Sequence, residues 1–340
     1  MKKLTITIAS LLLLFNISAL VSCGSTTDST VKSSITNNRD RQIKHAMGTT
    51  KVKESPQRIV VLTNEATDHL LALGIKPVGA VQSWWGDPYF EYLQRDLQNV
   101  PVVGDELQPS LEKIAALKPD LIIGSKVRHQ NIYPQLSQIA PTVFSETLGA
   151  DWKENFGLYA KAADKEEKAQ QLIAEWDRRI ADFRSQMGDK LNKEVSIVRF
   201  LPGQARIYHR DNFAGKILTE IGFKRPPSQQ QDKFADEITL ENISQMDGDI
   251  IFYMTFDPQS SESKQQIQNW LENPLWQSLQ ATKNKQVYQV NDVYWNTGAG
   301  IQAANKMLDD LYEYLLNEKT SSFQTLDVFG QILLSLIANF

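Results

Sequence analysis

Between Asp164 and Met187 the chain has no glycine and no proline. Ala169, Leu172, Ile173, Trp176, Ile180 and Phe183 recur there at three- and four-residue steps, the spacing of a single apolar helix face. Asp164, with Glu167 three residues on, can cap the start, and Gly188 can close the end. At 1.5 Å per residue such a helix reaches about 36 Å, comparable with the diameter of a small domain. Whatever else the chain forms must pack on, or hang from, that rod.

On either side, short β-branched runs alternate with helical spacing. Before the long helix, Pro56–Leu62, Pro77–Val81 and Asp120–Gly124 read as buried strands. Helices are predicted over Thr67–Leu73, closed by Gly74, and over Leu111–Leu117. A short hairpin is expected over Ile43–Val52, around Gly48. After the long helix, Val195–Phe200, Asp249–Met254 and Lys285–Val290 read as strands. Ile217–Ile221, Leu240–Met246 and Ile301–Leu316 read as helices. Such alternation favours parallel sheets. The expected fold is α/β: two Rossmann-like lobes with parallel sheets, 43–163 and 189–318, bridged by the long helix at 164–188, with a ligand cleft between them. The lobes also share a plan. Leu111-Glu112-Lys113-Ile114 and Leu240-Glu241-Asn242-Ile243 each start a helix that leads through an acidic turn to a buried strand.

Composition narrows the function classes. Hydrophobic residues make up 41% of the chain, too many for disorder throughout. Lys plus Arg number 36 against 40 Asp plus Glu, so no excess of base favours nucleic acid as a partner. A single cysteine rules out an intramolecular disulfide and a thiolate zinc site. That cysteine ends an N-terminal segment in which Lys2 and Lys3 precede an apolar Leu4–Leu20 stretch, the layout of a secretory signal. A lone thiol is commonly a small buried apolar side chain. Here Leu20-Val21-Ser22-Cys23 resembles a bacterial lipobox, which implies a lipoprotein signal peptide over 1–22, acylation of Cys23 and a membrane anchor. Residues 23–42 are expected to be a flexible linker. At the other end, the apolar tail 319–340 is short for a membrane span and carries Asp327 and Gln331; an amphipathic helix against the body is expected.

The Pro109–Ile123 run and Asn273-Pro274-Leu275-Trp276 resemble the substrate-binding proteins of bacterial ABC importers. They are most similar to the helical-backbone class III, which serves ferric siderophores, ferric citrate, vitamin B12 and haem. The resemblance covers about Ile43–Leu316. It implies a rigid linking helix, modest closure on ligand, and delivery of a ferric chelate of citrate or hydroxamate type to a permease dimer with its ATPase. It places the protein, as a monomer with no cofactor of its own, at the periplasmic or cell-surface face of the cytoplasmic membrane. It also places permease docking on Glu112 and Glu241, one acid per lobe, although an acid near a helix start is favoured by the helix dipole in any case. A cobalamin or haem receptor is the alternative within the class, and a surface lipoprotein hydrolase the alternative outside it.

Ligands of open α/β sheets sit beyond the carboxyl ends of strands. Candidates at such positions are Trp84, Trp85, Arg128, Arg199, Arg206, Tyr208, Arg210, Tyr253, Phe256, Tyr294 and Trp295. This set is arginine plus aromatic, without an acidic cluster. Arginine forks match carboxylate or hydroxamate oxygens, and aromatic rings supply apolar walls. Of four histidines, His45 and His69 fall away from strand ends. His129 and His209 are weak metal candidates, too few for a bare-ion site. Gly298-Ala299-Gly300-Ile301-Gln302-Ala303 fits a dinucleotide-binding pattern, but Asn291–Thr297 separates it from the nearest strand, so glycines opening the last helix are the simpler expectation. Hydrolase, zinc-protease and P-loop motifs are absent, and no catalytic residue is expected.

Overall fold

The computed structural model describes residues 40–257 and 260–316. The expected signal peptide, Cys23, most of the linker and the apolar tail lie outside the described residues. The first lobe opens with an antiparallel hairpin, β1 (Arg41–His45) and β2 (Gly48–Val52). There follow β3 (Ile59–Val61), α1 (Asn64–Ala72), β4 (Gly79–Ala80), α2 (Glu91–Gln94), α3 (Leu111–Ala116), β5 (Leu121–Ser125), α4 (Lys126–His129), α5 (Tyr133–Ile139), β6 (Thr142–Ser145) and α6 (Trp152–Ala162). Its four strands pair in parallel in the order β4-β3-β5-β6. Both faces of this sheet are covered, which is why its strands read as unbroken apolar runs. Leu121 and Ile123 point to one core and Ile122 to another.

The long helix is α7, Glu166–Met187, about 33 Å at 1.5 Å per residue. It buries Ala169, Trp176, Ile180, Phe183 and Met187. The expected cap at Asp164 is not used. Asp164 has φ +60, accepts a bond from the Ser55 hydroxyl and faces Arg41, so its carboxylate is turned to the hairpin. Gly188 does close the helix, at φ +51.

The second lobe comprises β7 (Val195–Leu201), β8 (Gln204–Tyr208), α8 (Phe213–Ile221), β9 (Ala235–Ile238), β10 (Ile250–Thr255), α9 (Ser261–Leu271), α10 (Pro274–Ser278), α11 (Gln280–Lys283), β11 (Val287–Gln289) and α12 (Ile301–Leu315). Its sheet order is β11-β10-β7-β8-β9. Only β11, β10 and β7 are parallel; β8 and β9 are antiparallel additions. This corrects the expectation of an all-parallel second sheet. Pro202-Gly203 joins β7 to β8 in a two-residue turn, with Gly203 at φ +75, the residue pair such a reversal favours.

One core runs through both lobes, from Val61 and Ile123 through Trp152, Trp176 and Phe183 to Phe252, Met307 and Leu311. The lobes are also tied by hydrogen bonds. Asp68 of α1 accepts from the Gln302 amide at 2.8 Å and the Ala303 amide at 3.0 Å, capping α12 from the other lobe. Tyr92 donates to the same carboxylate at 2.7 Å. This contact explains Gly300 at the opening of the last helix: a Cβ there would collide with the Asp68 carboxyl. We expect Gly300→Ala to push that carboxylate off the α12 amides and cost about 1–3 kcal/mol, as in other overpacked sites. The reading is the thermal midpoint; an unchanged midpoint would show the tie to be slack.

Candidate functional site

A cleft of about 390 Å³ opens where the parallel strands of both lobes end. From the first lobe it receives Glu65, at the start of α1; Trp84, after β4; Glu106, before α3; and Arg128, after β5. From the second it receives Arg199 and Leu201 of β7, Gln204 and Arg206 of β8, Phe234, Phe256, Asn296 and Thr297. A larger depression of about 970 Å³ lies beside α9 on the second lobe alone, walled by Gln204, Glu237, Gln266 and Asn269 among others. It holds no arginine and lies on one lobe, so the cleft is the better candidate for an anionic ligand.

Each arginine of the cleft is backed by an acid. Arg199 is 7% exposed and grips Asp292, 3% exposed. Its Nε lies 2.5 Å from Oδ1, and Nη2 donates to Oδ2 at 3.0 Å. Nη1 faces the Tyr208 hydroxyl at 3.4 Å, and the guanidinium sits 5.4 Å from the Phe256 ring centre. Burial opposes both charges and pushes the Asp292 carboxyl up, while Asp292 in turn holds Arg199 above its ordinary range. The two-point contact, with a third bond to Asp292 from Thr297, favours the charged pair. Arg128 donates to Glu106 at 3.1 Å and lies over Trp84 at 5.9 Å. Arg206 donates to Glu237 at 3.2 Å. Glu106 is fixed on its other oxygen by the Asn64 amide and side chain. Anchored in this way, the arginines need little reordering to meet a ligand.

The structure brings Trp84, Arg128 and Arg199 together at the cleft, Trp84 being 37% exposed at the rim. Trp85 stands one layer behind, edge-on to Phe256 and Phe90. Five further candidates do not line the cleft, among them Tyr294, which packs edge-on to Tyr92. Trp295 is fully buried, packs tilted against Phe252 with ring centres 4.6 Å apart and donates to Asp310. The five-residue π-turn Val293–Thr297 rotates it inward and sends Asn296 and Thr297 to the cleft instead. Tyr253 faces the outer core with Phe200 and Trp276, because successive β10 residues alternate faces. Tyr208 is buried behind Arg199. Arg210 lies off the cleft, 3.8 Å from Asp232.

Neither weak metal candidate has a ligand's freedom. His129 is buried, with Nδ1 accepting from the Ser125 amide and Nε2 against the Glu106 carbonyl; burial lowers its pKa. His209 is buried against Asp236. Among the described residues no cluster of three potential metal ligands occurs. Sequence reasoning missed Glu65 and Glu106. Glu65 follows the expected Pro56–Leu62 strand, so the strand-end rule could have found it; Glu106 follows no expected strand and carries no such signal.

Glu112 and Glu241 are both exposed and stand in the first turn of their helices. Neither forms an ion pair among the described residues. Thr239 hydrogen-bonds Glu241 and holds its carboxyl below the usual range. Each follows closely on a cleft residue, Glu106 in one lobe and Phe234 in the other.

Residues 59–294 match the family model described as periplasmic binding protein. The chain belongs to that family. Its Bacillus subtilis (strain 168) relative "Probable siderophore-binding lipoprotein YfiY" is 46% identical over 91% of this chain and 98% of that protein. "Fe(3+)-citrate-binding protein YfmC" of the same strain is 31% identical over 82% and 87%. The crystal structure of Staphylococcus aureus SirA complexed with staphyloferrin B superposes with a TM-score of 0.76 at 40% identity, covering 81% of this chain and 98% of that one. The two-lobed fold with its linking helix is thus that of siderophore-binding periplasmic proteins.

Proposed function

We propose that the protein is an extracytoplasmic receptor that carries a ferric siderophore, of citrate or hydroxamate type, to the permease dimer and ATPase of an ABC importer. It binds its cargo without chemical change and carries no catalytic residue or cofactor of its own. Acylation at Cys23 would hold it, as a monomer, on the outer face of the cytoplasmic membrane. The observation that carries this reading is the set of three arginines, Arg128, Arg199 and Arg206, around one interlobe cleft with Trp84, Phe234 and Phe256 as walls. Arginine meets the chelate's anionic oxygens, and the rings exclude water around it. At about 390 Å³ the cleft falls within the range of small-molecule sites. The names of the relatives YfiY and YfmC and of the SirA complex support the same ligand class.

Tryptophan fluorescence, titrated with ferric citrate, ferric hydroxamates, haem and cobalamin, is the test. We expect saturable quenching by a ferric chelate, carried by Trp84 at the cleft rim. A flat response to every ferric chelate would overturn the reading, and saturation by haem or cobalamin instead would replace the ligand.

A further inference from the structure

Glu65 is the unusual member of the cleft. It lines the cavity yet is only 2% exposed. Its oxygens accept from the Gly149 amide and from Asn155 Nδ2, both at 2.7 Å. No lysine or arginine pairs with it among the described residues. The groups that face it are acidic, neutral or already engaged. From α1 come Asp68 and His69, whose Nε2 lies 3.8 Å away. Burial drives that imidazole to a pKa of about 3, so it brings no charge. The loop before α3 brings Glu106, and α6 brings Asn155 and the Tyr159 phenol. Arg128 and Arg199 line the same cleft but are held by Glu106 and Asp292. A buried carboxylate in such company is unstable. Burial, reinforced by Glu106 and Asp68 and opposed by the two hydrogen bonds, pushes Glu65 up to about 8.

Charge at the site points the same way. Arg128, Arg199 and Arg206 are matched by Glu106, Asp292 and Glu237. With Glu65 uncharged the site is balanced; with Glu65 ionised it is net negative and repels an anion. We propose that Glu65 is a specificity-determining residue, present in the cleft as a neutral carboxylic acid that donates a hydrogen bond to an anionic oxygen of the bound chelate. This rests on the receptor reading above. It makes the cleft favour a carboxylate or alkoxide oxygen at that point and disfavour a ligand that presents its own donor there.

The test compares wild type with Glu65→Gln for binding of ferric citrate in excess citrate, from pH 6 to 9.5. Speciation of the chelate is common to both proteins and cancels in their affinity ratio. As pH rises through about 8, wild type should lose affinity relative to the variant, about tenfold by pH 9. A glutamate that merely pins Gly149 and Asn155 gives a ratio independent of pH, and that outcome overturns the proposal. Because the amide can accept only one of those two bonds, which weakens the variant's fold, infrared titration of ligand-free wild type supplies a second reading. A protonated-carboxyl stretch that disappears near pH 8 is expected, and its absence at pH 7 overturns the proposal independently. Failure of both proteins to bind ferric citrate, or any chelate of the panel, would count against the receptor reading, while the infrared band would still decide the state of Glu65.

Discussion

Asp292→Ala is expected to cost about 3–5 kcal/mol of stability, the usual penalty for removing one partner of a buried ion pair, and to abolish tight ligand binding with it. The guanidinium of Arg199 is 7% exposed. Without Asp292 it keeps only a long contact to Tyr208 and the face of Phe256. The charge must then find water, which means opening the cleft wall. Arg199→Met removes the ligand's proposed anchor and leaves Asp292 buried, with Thr297 still donating to it. Losing a desolvated arginine contact costs about 2–5 kcal/mol of binding, a fall of about thirty- to several-thousand-fold in affinity. The double variant Arg199→Met with Asp292→Leu separates the two roles. Replacing both charges by apolar groups is often nearly neutral for folding, so stability should return while binding does not. Urea unfolding and fluorescence titration read the two quantities. If Asp292→Ala unfolds at the wild-type denaturant concentration, the pair is not buried in solution and this account of the cleft fails.

What was legible in the sequence follows physical range. Strands β3, β5 and β10 are buried on both faces, so Ile59–Val61, Leu121–Ile123 and Ile250–Met254 announce themselves as apolar runs. The long helix announces itself by period. The strand-end rule then finds Trp84, Arg128 and Arg199, because topology puts loops after parallel strands on one edge. Other features are nonlocal. Asp68 and Gly300 meet only in the fold, and nothing near either position signals the cap. Strands β8 and β9 are short, carry charges such as Arg206 and Glu237 that pair across the ladder, and escape a search for apolar runs. Trp295 looks like a strand-end aromatic, but a π-turn changes which side chain faces inward. Glu65 follows a strand in the same way as Arg128 does, yet only its burial beside Glu106 and Asp68 distinguishes it from a surface acid.

Reversing both Glu112 and Glu241 to lysine is expected to abolish uptake by cells while leaving chelate affinity and melting temperature unchanged. The separation is physical. Both side chains are exposed and neither lines the cleft, so ligand contacts and core packing stay intact; surface changes of this kind are usually small in stability. Each opens the first turn of a helix, α3 in one lobe and the short 3₁₀ turn Leu240–Met246 in the other. A favourable place beside a helix start explains either acid alone. It does not explain why both lobes carry an acid two residues past the cap, six or seven residues beyond the cleft-lining Glu106 and Phe234. A permease that straddles the cleft would meet one acid per lobe, and charge complementarity of that kind sets docking rate and orientation more than raw affinity. Single reversals should therefore each slow uptake and the pair should stop it. Uptake at the wild-type rate with both charges reversed would remove these residues from the docking surface, and the helix dipole would suffice to explain them.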